Sequence, residues 1–186
     1  MTAPRSPLRL RSDVSLGPVQ IEYAERMSAW MSTPVIAGNL GLRGTPSLER
    51  TLAWIQNAGT DQSMHAFAIL IQGRHVGNVV LDQVDLYLKK ARFSIYLGEA
   101  DARGKGAGIT GTYLALKTGF EELDLYKIWL TVHIQNTRAI QTYLNAGFRK
   151  EGQLRGEFLV HGARLDAWYM GILAEEFANL PVASTL

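Results

Sequence analysis

Apolar positions along this chain switch between two periods, and the switches mark its elements. Leu8-Arg9-Leu10-Arg11 alternates apolar and charged residues, the period of a short first strand. Ile21, Ala24, Met27 and Met31 recur at helical spacing and predict a first helix. Thr33 to Gly44, interrupted by Pro34, Gly38, Gly41 and Gly44, predicts a loop. Thr45-Pro46 has the form of an N-cap and first-turn proline for a second helix carrying Leu48, Leu52 and Ile55. His65 to Gln72 and His75 to Asp82 are apolar runs about a Gly73-Arg74 turn, which predicts a hairpin. Ala91 to Gly98 forms a further strand with Phe93, Ile95 and Leu97 on one face.

After a glycine-rich stretch, Ile109, Tyr113, Leu116, Phe120 and Leu123 fall on one helical stripe. Lys127 to His133 returns to strand. Asn136 is placed to cap a helix with Ala139, Ile140, Tyr143 and Leu144, and Gly147 to stop it. Phe148 to Leu154 and Leu165 to Ile172 predict two last strands about a His161-Gly162 turn. The order βααβββαβαββ predicts one α/β domain over residues 1–186 with a mixed sheet.

Composition narrows the function classes. The 186 residues are 47% hydrophobic and 19% charged, a globular balance with room for a real core. A formal net charge of +2 with no dense Lys/Arg run gives no reason to expect a nucleic-acid partner. The absence of cysteine excludes disulfides, thiolate metal sites and a cysteine acyl-enzyme. Met1 to Leu16 lacks the apolar core of a secretory signal, and no apolar stretch is long enough to span a bilayer. A cytoplasmic enzyme with no membrane partner and no metal is the expectation.

Candidate chemistry concentrates in Arg103-Gly104-Lys105-Gly106-Ala107-Gly108, between a strand and a helix. Alternate glycines let backbone approach a bulky ligand. A helix N-terminus there offers unpaired N–H groups to an anion, and Arg103 and Lys105 add cations. A solvated glycine-rich turn is the plain alternative. The spacing Gly-x-Gly-x-Gly fits a dinucleotide fingerprint poorly, and no acid ends the next strand. A P-loop needs Gly-Lys-Ser/Thr, which is also missing.

Arg-x-x-Gly-x-Gly at Arg103, Gly106 and Gly108 resembles the GNAT superfamily of acyl-CoA-dependent N-acyltransferases. The segment Asn136-Thr137-Arg138-Ala139-Ile140, followed by Tyr143 and Gly147-Phe148, is similar to the one those enzymes carry after their fifth strand. Gly162 to Glu176 with Asp166, Leu8 to Arg11, Trp30, Gly73 and Gly77 extend the likeness to the branch of ribosomal-protein N-terminal, polyamine and amino-sugar acetyltransferases.

The resemblance implies a mostly antiparallel sheet splayed between strands 4 and 5, with acetyl-CoA as donor. Its pyrophosphate would lie on Arg103, Gly104, Lys105, Gly106, Ala107 and Gly108. Its pantetheine arm would run along Ile95, Tyr96 and Leu97, with Asn136 bonding it, although Asn136 also fits a plain N-cap. Transfer to the amine would be direct, with an oxyanion donor near Leu97. Tyr143 matches the tyrosine that gives a proton to the departing thiolate, and a packed helix aromatic is its plain alternative.

The base is left open. The position where relatives carry a glutamate aligns with Arg92, which cannot serve. His133 and Glu99 are the candidates, beside a backbone carbonyl with ordered water. His65 fits a strand role, and His75 and His161 fit hairpin and turn roles. Without a strong base, an α-amino group of pKa ~7.7–8.0 is favoured over an amine near 10.4, because more of it is already neutral. The Thr33–Gly44 segment holds no carboxylate, so a peptide N-terminus or amino sugar is favoured over a polyamine. The alternatives are a degenerate CoA-binding regulatory module and a transferase for another acyl-CoA. A homodimer is compatible with the resemblance.

Overall fold

A computed structural model describes residues 7–160 and 162–183. Seven strands form one sheet in the order β1-β2-β3-β4-β5-β7-β6: β1 Val14–Pro18, β2 His65–Ile71, β3 Arg74–Asp85, β4 Lys90–Leu97, β5 Lys127–His133, β6 Arg149–Val160 and β7 Ala163–Leu173. Every neighbouring pair is antiparallel except β4 with β5. Helices α1 Ala24–Met31, α2 Pro34–Leu40 and α3 Leu48–Ala58 precede the β2–β3 hairpin. Helices α4 Ala107–Lys117, α5 Thr137–Asn145 and α6 Ala174–Ala178 follow β4, β5 and β7.

Two apolar clusters divide the sheet by face. Ile69, Val79, Leu81, Phe93, Ile128, Leu130 and Ile172 point to the face covered by α4, with Leu116, Ile140, Tyr143 and Phe148 among the packed residues. Ala24, Met27, Trp30, Ile36 and Ile55 form the second cluster with Tyr96, on the other face. Trp30 fixes α1 to the end of β4. A Cβ on Gly98 would lie 1.8 Å from the indole, so only glycine admits this contact.

The helix after the glycine-rich loop forms, but its buried face is Ala107, Thr110, Gly111, Thr112, Ala115 and Leu116; Ile109, Tyr113, Phe120 and Leu123 of the predicted stripe are only half-buried, and the helix passes into a π turn over Thr118–Glu122. Three further local expectations are corrected. The first strand is Val14–Pro18, not Leu8–Arg11; Leu8 makes only an isolated bridge to Val182. Arg11 is instead held by Asp13 and by the Oγ1 of Thr110, which accepts from its N–H. Pro18 ends a sheet-edge strand, where a missing N–H is harmless.

The Thr33–Gly44 segment contains helix α2, with proline in its first turn and Gly41, at φ 62°, closing it. The cap of α3 is Ser47, whose Oγ accepts from the Arg50 N–H at 3.3 Å, rather than Thr45. The turn at His161 lies outside the described residues.

Candidate active site

The site begins where a ladder ends. Strands β4 and β5 pair only through Lys90, Ala91 and Arg92 against Lys127, Ile128 and Trp129. From Phe93 to Leu97, β4 keeps β3 on one side and has no strand on the other. This leaves backbone N–H and C=O groups open along one edge, a natural track for an extended ligand arm. A cavity of about 910 Å³ occupies the opening, lined by Ile95, Tyr96 and Leu97 on one wall and Thr131 and Val132 on the other.

One end of the cavity is an anion cradle. Gly104, Gly106, Gly108 and Ile109 line it, with Arg9, Arg103 and Arg138. Gly106 is the N-cap of α4 at φ 86° and offers no side-chain cap, so the first-turn amides lack the usual side-chain acceptor. No Asp or Glu is among the lining residues. Backbone amides, a helix N-terminus and guanidinium groups are the donor set that a pyrophosphate fits.

Arg103 differs from expectation. Its Nε and Nη2 donate to the carbonyls of Leu97 and Gly98, each at 3.0 Å, so it ties the loop to the end of β4. Lys105 is exposed and lies outside the lining; its carbonyl accepts from Arg11. Ala107 is fully buried and serves packing. Sequence reasoning missed Arg9 and, against the loop itself, Arg138. A Cβ on Gly104 would lie 2.8 Å from its Nη2, so the guanidinium borders the loop. Its place two residues after Asn136, in the segment already singled out, was the available signal.

Asn136 lines the cavity and caps α5, its Oδ1 accepting from the Ala139 N–H at 3.2 Å. Its amide NH₂ stays available for another acceptor. Tyr143 projects from α5 into the cavity lining and is 8% exposed. Phe93 and Phe148 hold its ring edge-on at 6.0 and 5.8 Å. Burial pushes its phenol well above the ordinary tyrosine range, so the group stays protonated.

His133 does not line the cavity itself but is bonded to Asn39, which does, and Glu99 is not brought to it. His133 faces away from the α4 side, with Nε2 2.9 Å from Asn39 Oδ1 and its ring edge-on to Phe158. Glu99 sits 3.8 Å from Arg74 at the surface. Arg92 is clasped by Asp82 through two bonds of 2.8 and 2.7 Å. His75, expected as a hairpin residue, is 2% exposed and belongs to a buried network. Asn78 Oδ1 accepts from the Tyr96 hydroxyl at 2.9 Å and lies 3.2 Å from His75 Nε2, which assigns the ring proton to Nε2.

Burial lowers the pKa of both His75 and His133, and the Nδ1 of each is buried without a partner. The unfolded chain therefore binds more protons than the native one below the ordinary histidine pKa of about 6.5. Stability is expected to be level above that pH and to fall as pH drops from about 6.5 toward the lowered native values. Urea melts from pH 8 to 5 check this, and a midpoint independent of pH over that range would contradict it.

A mixed sheet opened between its fourth and fifth strands, with an anion cradle and a buried phenol at the opening, is the architecture of the N-acyltransferase class that the sequence resembles. The profile of the acetyltransferase (GNAT) domain matches residues 13–149, and the chain belongs to that family. It is 33% identical over 117 residues to the spermidine N(1)-acetyltransferase of Escherichia coli K12, a match covering 63% of this chain and 62% of the relative. The chain thus spans about 62% of that relative's length.

A prophage-derived uncharacterized N-acetyltransferase of Bacillus subtilis is 30% identical over 125 residues, 67% of this chain and 70% of that protein. The crystal structure of spermidine N-acetyltransferase from Vibrio cholerae, in complex with CoA and spermine, superposes with a TM-score of 0.85 at 25% identity. It covers 91% of this chain and 100% of that one.

Proposed function

We propose that this protein is an acetyl-CoA-dependent N-acetyltransferase acting on a primary amine. One observation carries the reading: the β4–β5 ladder stops at Arg92 and Trp129, and the cavity it opens joins the α4 cradle to Tyr143. Family membership and the CoA held by the Vibrio cholerae relative support the donor.

In this reading the α4 amides and Arg138 bind the pyrophosphate, and Arg103 holds their loop to β4. The open edge of β4 from Phe93 to Leu97 and the Asn136 amide orient the pantetheine arm. Acetyl-CoA supplies an activated thioester, and a chain without cysteine transfers the acetyl group directly to the amine. A β4 backbone N–H near Leu97 steadies the oxyanion. Tyr143 donates a hydrogen bond to the departing sulfur. Its raised pKa makes it a poor source of a free proton, so it stabilises the thiolate rather than neutralising it.

Among the described residues no Asp, Glu or His lines the cavity and His133 reaches it through Asn39, so the amine has to enter neutral and the proton it sheds on acylation leaves through water. That favours a weakly basic acceptor, a peptide N-terminus or an amino sugar. A polyamine is the second reading, supported by the names of the Escherichia coli and Vibrio cholerae relatives. Thiol release from acetyl-CoA across peptides, amino sugars and polyamines discriminates between them. A degenerate CoA-binding module would release no thiol with any amine.

Binding is testable without knowing the acceptor. Acetyl-CoA at about 100 times its Kd is expected to stabilise the native state by about 2.7 kcal/mol. For a chain of this size that raises Tm by roughly 5–10 °C. An unchanged melt at saturating acetyl-CoA would remove the donor assignment.

A further inference from the structure

On the sheet face opposite α4, an aromatic pair stands at the closed end of the β4–β5 opening. Arg92 is the register partner of Trp129, and Trp129 and Thr131 alternate with the core residues Ile128, Leu130 and Val132. Thr131 is paired with Tyr169 on β7. The rings of Trp129 and Tyr169 stack at 5.1 Å with 15° between planes. Tyr169 is engaged a second time, by Lys127 Nζ at 5.5 Å, and Lys127 is tied to Glu151.

Tyr169 stacks on one face of Trp129, and the strand on the other side of β5 at this position is β4. The Arg92 guanidinium donates through Nε and Nη2 to Asp82 on β3. Among the described residues no other ring or cation stacks on this indole. The residue is half-buried and reachable. Two positions along β5, Thr131 lines the cavity, a separation of roughly 6.6 Å along a strand.

We propose that the free face of Trp129, backed by Tyr169, is the acceptor platform, and that the acceptor is a primary amine carried on a ring. The inference rests on the transferase reading and narrows its substrate class. An acceptor coming to the opening from the side opposite the α4 cradle crosses this indole. A sugar or aryl ring stacked there directs an amine substituent past Thr131 into the cavity.

The charges on this face disfavour a polycation. Asp82 is neutralised by Arg92 and Glu151 by Lys127, and the cavity itself has no acid. One ammonium can rest on an indole, but the further ammonium groups of a polyamine meet no unpaired carboxylate here.

The experiment compares wild type, Trp129→Ala and Trp129→Phe with glucosamine, tyramine and spermidine, by thiol release and by calorimetric titration into the protein–CoA complex. Wild type is expected to prefer at least one ring amine to spermidine, and the two ring amines distinguish a sugar from an aryl acceptor. Trp129→Ala is expected to raise KM and Kd for the ring amine about five- to ten-fold, the range a lost ring contact gives. Trp129→Phe is expected to restore most of this, and CoA affinity to stay unchanged in both.

A preference for spermidine, or a ring-amine Kd unmoved by Trp129→Ala, overturns the proposal. So does a Trp129→Ala variant whose sedimentation shifts while ring-amine binding is retained, which would make the face a contact between copies. If ring amines bind through Trp129 and no thiol is released, the platform stands and the transferase reading fails.

Discussion

Tyr143→Phe is expected to lower kcat about a hundred-fold, the lower end of what removing one fixed hydrogen-bond donor to developing charge costs, with CoA affinity held within about two-fold. The substitution removes one oxygen from a ring that Phe93 and Phe148 hold edge-on, so the packing survives. Among the described residues the hydroxyl makes no protein hydrogen bond that its loss would break. Stability is therefore expected to shift by less than about 1 kcal/mol. The loss falls on the step in which negative charge collects on sulfur, because that is when a fixed donor in a dry site counts most. Stopped-flow or steady-state thiol release with matched CoA titrations measures both terms. A wild-type kcat would assign Tyr143 to packing alone.

Legibility in the sequence followed the range of the interactions involved. The helix after the glycine-rich loop, the cap of α5 by Asn136 and the β2–β3 hairpin depend on neighbours in sequence, and each is found near its predicted position. Helix α2 was hidden because its glycine marks a distant contact. A Cβ on Gly38 would come 3.2 Å from Val160 on β6, so the residue that reads as a breaker serves close packing across the fold. Strand β1 was hidden because Gly17 and Pro18 look like a turn, yet an edge strand tolerates both.

The site shows the same division. The loop and Asn136 were legible as a motif, whereas the destination of each cation was not. Arg103 turns back onto β4, Lys105 points out, and Arg138 arrives from another helix. His133 was attractive as the last residue of β5, but strand alternation puts it on the face away from α4, against Asn39. The period of two already carried that information: Ile128, Leu130 and Val132 face the core, so His133 cannot. The absence of an acid in the cavity could be suspected from the α1–α3 connection but depended on which of seventeen acids the fold brings near. The fold brings none.

Gly106→Val is expected to weaken CoA binding by at least about a hundred-fold while the chain still folds, since it removes several hydrogen bonds to charged oxygens at once. Two effects act together. Gly106 holds φ 86°, a region closed to β-branched residues, and its Cβ would stand 3.3 Å from Arg11 Cδ. The backbone relaxes by moving the first turn of α4, and the amides leave the cradle. The strain itself costs about 1–3 kcal/mol, seen as a Tm lower by roughly 2–10 °C.

Gly108→Ala separates strain from obstruction. Gly108 is not at positive φ, and a Cβ there meets only Leu97 Cδ1 at 3.7 Å, an ordinary contact. That variant is expected to melt like wild type. Any CoA affinity it loses then measures how closely the ligand approaches the backbone. Calorimetric titration of CoA into the three proteins decides the matter. If Gly106→Val binds CoA normally, the α4 N-terminus is not the pyrophosphate site, and Arg9 and Arg138 alone would have to hold the charge.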